Sequence, residues 1–114
     1  MPDIRLRLLL DPDGHIGPGR AELLEGIAAL GSISAAGRAM GMSYRRAWEL
    51  VEEMNRIFGR PVAETQAGGR QGGGARLTDL GQLVVTRFRS AEAAARRAVA
   101  EEMAALQKEV RREG

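Results

Sequence analysis

Apolar positions at Ile4, Leu6, Leu8 and Leu10 alternate with Arg5 and Arg7, the two-residue period of a half-buried strand. Asp11-Pro12-Asp13-Gly14 then reads as a turn. Gly17-Pro18 marks a helix start, because proline at the first helical position gives up an N–H that has no partner there. Leu23, Leu24, Ile27, Ala28 and Leu30 follow at helical spacing as one expected buried face, and Gly31 closes the helix. A short second helix is expected from Ser34 through Ala35, Ala36, Ala39 and Met40, stopped by Gly41. Ser43 caps a third helix that runs to about Phe58, with Gly59 and Pro61 ending it. Two helices joined by a tight glycine turn, the first short and rich in alanine, form the helix-turn-helix pattern.

Beyond Pro61, Val62 to Gln66 and Ala75 to Leu77 read as short strands around a glycine-rich loop, making a β-hairpin. Thr78 caps a last helix that meets no proline before the C-terminus. At 1.5 Å per residue its roughly 34 residues would reach about 50 Å, too long to fold back over so small a core. The expected fold is therefore mainly α with a small β wing. A winged helix-turn-helix over residues 1–78 leads into a long helix over 79–114.

On the third helix Ala47, Leu50, Val51, Met54 and Phe58 share one face, and Arg45, Glu49, Glu52 and Arg56 lie opposite. A helix that reads the major groove of DNA uses the solvent side of its first turns. Ser43, Tyr44, Arg45, Arg46 and Glu49 occupy that place. Arg45 suits guanine, whose O6 and N7 accept from its fork, while Tyr44 and Arg46 flank it toward phosphates. Glu49 would orient Arg45 or accept from cytosine N4. The plain alternative is a solvated face laced by Arg45–Glu49 and Glu52–Arg56 pairs. Trp48 sits at the edge of the apolar stripe and reads as a packing residue.

The glycine loop Gly68-Gly69-Arg70-Gln71-Gly72-Gly73-Gly74 lacks the Lys and Ser or Thr of a P-loop and the setting of a dinucleotide fingerprint. A hairpin tip carrying Arg70 and Gln71, with Arg76 on the following strand, instead suits the DNA backbone or a narrow minor groove. On the last helix Leu80, Val84, Phe88, Ala91, Ala95, Val99, Met103, Leu106 and Val110 form one stripe, at a spacing nearer 3.7 than 3.5 residues. A projecting stripe has nothing to cover it in a monomer, so a homodimer is expected, with intramolecular packing limited to the turns around Leu80 to Phe88.

Charge changes this picture little: 17 Lys and Arg against 15 Asp and Glu leave +2, so the placement of the arginines matters more than their number. Aromatic residues make up 4% of the chain, which argues against a base-stacking platform. There is no cysteine, so disulfides and thiolate metal sites are excluded. His15 is the only histidine, and no metal-ligand spacing or nucleophile elbow occurs, so neither enzyme activity nor a cofactor is expected. No secretory signal or membrane span is present, and a cytoplasmic protein is the simplest expectation.

The segments Gly31-Ser32-Ile33-Ser34, Ser43-Tyr44-Arg45-Arg46-Ala47-Trp48 and Gly68-Gly69-Arg70-Gln71-Gly72-Gly73-Gly74-Ala75, with Leu77-Thr78 and Gly81, resemble the DNA-binding domain of the ModE family of molybdate-responsive regulators. The first segment is shared with LysR-type regulators. The resemblance runs from about Ile4 to Ala95. It implies a dimeric winged helix-turn-helix regulator of molybdenum-related genes that contacts double-stranded DNA through Ser32, Ser43, Tyr44, Arg45, Arg46, Glu49, Arg70, Gln71 and Arg76. Family members commonly continue into a molybdate-binding module. This chain stops at Gly114, so direct molybdate binding is not expected of it. The competing expectation is a protein-interaction module that acts through the long helix without reading DNA.

Overall fold

The computed structural model describes residues 2–66 and 74–112. The N-terminal alternation becomes β1 (Leu8–Leu10), which pairs antiparallel with β2 (Gly14–Ile16), Leu9 opposite His15. The strand read from Ile4 thus begins four residues late, and a second strand that sequence periodicity did not mark follows the expected turn. Three residues are too few for a period to register, and β2 is fixed by packing: a side chain at Gly14 would run into Ile57 of the third helix.

α1 (Pro18–Leu30) starts at Gly17 and ends at Gly31, whose φ of 76° is the left-handed conformation glycine adopts without strain. Its buried side chains are Arg20, Ala21, Leu23, Leu24 and Ile27. Ala28 and Leu30, expected on that face, are exposed. α2 (Ile33–Ala39) is capped by Ser32, which accepts from the Ala35 N–H at 2.9 Å, and not by Ser34. A cap at Ser32 places Ile33 at the first helical position, where its side chain enters the core. α3 (Tyr44–Phe58) has the expected Ser43 cap, accepting from the Arg46 N–H at 3.1 Å, and ends at Gly59. β3 (Ala63–Gln66) and β4 (Gly74–Leu77) pair antiparallel from Ala63–Leu77 to Gln66–Gly74, forming the wing.

The core gathers Leu23, Leu24, Ile27, Ile33, Ala36, Ala47, Leu50, Val51, Met54, Val62, Leu80, Val84 and Phe88. α1 packs against both α2 and α4. The α2–α3 approach is close enough that a Cβ on Gly37 would lie 2.7 Å from that of Ala47.

The last helix is two segments, α4 (Asp79–Ala98) and α5 (Ala100–Lys108), interrupted at Val99 with φ −102° and ψ 7°. The single helix expected to the C-terminus is thus broken once and ends at Lys108. Helical hydrogen bonds still flank the break: Val99 N–H donates to Ala95 at 3.0 Å, and Met103 N–H to Val99 at 2.9 Å. Leu80, Val84 and Phe88 are buried in the chain's own core, which corrects their assignment to a dimer stripe. From Ala91 onward the stripe leaves the core, and α5 buries no residue. The radius of gyration, 17.1 Å, exceeds the value of about 13 Å usual for this length, because these turns project.

Ion pairs tie the ends of the fold together. Arg89 on α4 bonds Glu25 on α1 and the buried Glu92, and Arg96 bonds Asp3 at 2.8 Å. Among the described residues no helix is long and apolar enough to cross a membrane.

Candidate nucleic-acid interface

The α2–α3 turn is held by backbone bonds from Gly41 to Arg38 and from Met42 to Gly37, each 3.0 Å, with Gly41 at a φ of 74°. This turn fixes where α3 begins, and hence which side chains stand at its free end. Ser43, Tyr44, Arg45 and Arg46 are all exposed there, as is Glu49 one turn on. Ser32 and Ser43 each use a side-chain lone pair to cap a helix, which leaves each hydroxyl hydrogen to donate outward.

Tyr44 and Trp48 meet edge to face, centroids 6.1 Å apart and planes at 73°. Trp48 is half-buried against the core, in keeping with its packing assignment, though its buried Nε1 has no hydrogen-bond partner. Together with Arg45, Glu49, Glu52, Glu53 and Arg56 the two rings line an open cleft of about 600 Å³ along α3.

The charged side chains of α3 pair differently from the sequence expectation. Arg46, not Arg45, meets Glu49, at 3.5 Å, and it also lies 3.8 Å from Glu53. Glu53 in turn accepts from Arg20 of α1 at 2.6 Å. Neither an Arg45–Glu49 nor a Glu52–Arg56 ion pair forms among the described residues. Among the described residues the Arg45 guanidinium has no hydrogen-bond or ion-pair partner, which leaves its fork available to an external acceptor. The bond between Arg20 and Glu53 leaves no mark in the sequence, because 33 positions separate them. The spacing from Arg46 to Glu53, two helical turns, was the one signal that could have drawn attention to this chain of charges.

The wing is bolted at its root. Val62 N–H donates to Asn55 Oδ1 at 2.8 Å, and Thr78 donates through its N–H to Val62 at 3.1 Å and through its hydroxyl to Pro61 at 2.7 Å. Thr78 Oγ1 also caps α4, accepting from the Gly81 N–H. Ala75 N–H donates to the Gly31 carbonyl at 2.7 Å, joining β4 to the end of α1. Arg76 is exposed and lies 3.7 Å from Glu64 across the wing. It lines a separate cleft with Arg60, away from the one that Arg45 lines. Arg70 and Gln71, expected at the tip, fall outside the described residues.

No family model matches the chain. It is 42% identical over 85 residues to the molybdenum-pterin-binding protein MopA of Rhodobacter capsulatus, covering 75% of this chain and 32% of that protein. Against the molybdenum transport protein ModE of Azotobacter vinelandii it is 39% identical over 88 residues, covering 77% and 33%. The DNA-binding transcriptional dual regulator ModE of Escherichia coli K12 is 40% identical over 83 residues, covering 73% and 32%. The chain thus spans about a third of the length of the curated relatives it matches.

Among solved structures, a MarR family transcription regulator aligns at a TM-score of 0.58 and 21% identity, covering 81% of this chain and 62% of that one. The CbnR DNA-binding domain in complex with DNA aligns at 0.58 and 18%, covering 76% and 94%. At such identities the likeness is one of fold: a winged helix-turn-helix.

Proposed function

We propose that this chain, whose winged helix-turn-helix is that of the ModE family, is a sequence-specific DNA-binding regulator of genes for molybdenum handling, acting as a homodimer in the cytoplasm. The observation that carries the reading is the free end of α3, where Arg45 stands exposed and without an ion pair among the described residues. A planar fork left free at the start of a recognition helix matches the paired acceptors of guanine in the major groove. Arg46 and Tyr44 flank it toward the phosphates, and the hydroxyls of Ser32 and Ser43 sit at two helix starts where backbone N–H groups also favour an anion. Glu49, paired with Arg46, orients that neighbour and not Arg45. Arg76 serves the backbone beside the wing, the role that the sequence also assigns to Arg70 and Gln71.

For the dimer, the surface on offer is the outer part of the stripe: Ala91, Ala95, Val99, Met103 and Leu106. Leu106, near the end of α5, is 69% exposed and Val110, beyond that helix, 55% exposed, and α5 buries no residue in its own chain. Two copies joined there would present two α3 helices to a two-fold site.

A second reading, a protein-interaction module, draws on charge balance. Arg45, Arg46 and Arg56 on α3 are matched by Glu49, Glu52 and Glu53, so the face as a whole is not strongly cationic. Selection of binding sites from fragmented genomic DNA, with affinity measured across a salt series, separates the two. The regulator enriches a two-fold sequence, and its log affinity falls linearly with log salt. An interaction module gives neither result.

A further inference from the structure

The strand leading into β1 and the first turn of α1 enclose a cleft of about 460 Å³, with Arg5, Arg7, His15 and Arg20 in its wall. Leu50 of α3 supplies an apolar side, and Gly17 and Gly19 border it where α1 begins. No carboxylate lines it. Asp11, Asp13 and Glu53 line the neighbouring cleft, on which His15 and Arg20 also border with Arg56.

Three features of this cleft call for an anion. Arg20 is only 8% exposed; its Nη2 donates to Glu53, but its buried Nη1 has no hydrogen-bond partner. Arg5 and Arg7 form no ion pair among the described residues, so three arginines line one cleft and a single carboxylate, that of Glu53, is bonded to one of them. Gly17 brings no side chain to cap α1, and Pro18 has no N–H, so the first free backbone donors of the helix open beside the arginines. The field is felt at His15, whose pKa is lowered by burial first and then by Arg20 and Arg7, with Glu53 opposing.

We propose that this cleft binds a small oxyanion of the phosphate class, held by Arg5, Arg7 and Arg20 at the start of α1. The phosphate is either free, as inorganic phosphate or a small monoester, or it belongs to the backbone of a bound duplex. The site stands apart from the exposed end of α3, and its first test contains no DNA. Failure of the regulator reading therefore leaves it intact.

The test follows the His15 imidazole and arginine side-chain resonances of the full chain by NMR, during titration with inorganic phosphate against sodium chloride at equal ionic strength. The expected result is a saturable, phosphate-specific shift with a rise in the His15 pKa, because a bound anion favours the charged ring. Arg7→Gln, at an exposed position, should keep the wild-type backbone spectrum and weaken phosphate binding by about tenfold, as loss of one charge-assisted hydrogen bond does. Arg97→Gln, on the exposed surface of α4, is the control and should bind as wild type.

If free phosphate gives no saturable shift but a short duplex moves the same resonances, the backbone is the source. The salt slope of Arg7→Gln should then be shallower by about one. The proposal is overturned if neither ligand moves His15, or if Arg7→Gln binds phosphate as wild type does.

Discussion

Arg89 of α4 grips Glu25 of α1 at two points, Nε to Oε2 at 3.0 Å and Nη2 to Oε1 at 2.8 Å, while its Nη1 reaches the buried Glu92 at 2.7 Å. The planar fork makes both the two-point bond and the third contact possible at once. Removing it frees Glu25 to solvent but strands the Glu92 carboxylate. Arg89→Ala should lower unfolding free energy by about 1–2 kcal/mol, moderated by the partial exposure of the outer pair. Arg89→Lys should recover little, since an ammonium cannot reproduce the fork. Urea denaturation of the three proteins measures this.

Stability should also decline toward acid in two steps. Burial, then Arg20 and Arg7, hold the His15 pKa below its ordinary 6.5. The unfolded chain therefore takes up this proton first, and stability complete above about pH 6.5 falls as pH drops through the folded value. The Arg89 hydrogen bond holds the Glu25 carboxyl below its ordinary 4.5, against the opposing effect of burial. Its contribution is present above that value and is lost as pH falls through the lowered one. Denaturation midpoints measured from pH 7.5 downward should show the first step in wild type and not in His15→Gln.

Gly81 marks a place where the wing root and α4 leave no room. A Cβ there would collide with the Val62 carbonyl, which is itself fixed as the acceptor for the Thr78 N–H, and would lie 3.3 Å from the Cβ of Leu77. Gly81→Ala should cost about 2–3 kcal/mol despite alanine's better helix propensity. Gly19→Ala, where nothing lies within 4 Å, should gain about 0.4–1 kcal/mol. Opposite shifts in melting temperature for these two chemically identical changes would confirm the packing argument.

If α3 reads DNA, Arg45 and Arg46 should fail in different ways when removed. Arg45→Ala should cost about 1–3 kcal/mol at the selected site and relax the preference for one base pair. Arg46→Ala should weaken all sequences alike and make the salt slope shallower by about one. Anisotropy titrations against the selected site and its single-base variants discriminate these. Equal binding by both variants and wild type would rule out this groove assignment.

The exposed outer stripe makes an equally direct claim about assembly. Leu106→Asp and Met103→Asp lie on α5, which buries no residue in its own chain, so both variants should fold normally. In sedimentation equilibrium the wild type should be a dimer and the variants monomers. A monomeric wild type would remove the proposed assembly.

What was readable in the sequence were features with local causes. The caps at Ser43 and Thr78, the stops at Gly31 and Gly59, and the turn at Gly41 each follow from one residue's backbone or hydroxyl chemistry, and each is found. The cap of α2 was misplaced because Ser32 and Ser34 are both competent hydroxyls two residues apart. The side chain of Ile33, which needs the core, decides between them. Features set by distant partners were invisible: β2 is positioned by the approach of Gly14 to Ile57, and Glu53 by Arg20. The break at Val99 has no glycine or proline to announce it. Residues expected at the interface on α3 do cluster at its exposed end. Their pairing, with Arg46 taking Glu49, depends on rotamers that sequence spacing does not determine.

The bond from Ala75 N–H to the Gly31 carbonyl joins β4 to the residue that ends α1, one position before the cap of α2. The far side of the wing root is tied to α3 through Asn55 and Val62. The base of the hairpin is therefore anchored at both jaws, to Gly31 where α1 gives way to α2, and to α3, which sets the spacing between them. A surface that fits one jaw is already measured against the other, and little further ordering of the hairpin base is required when both close on it.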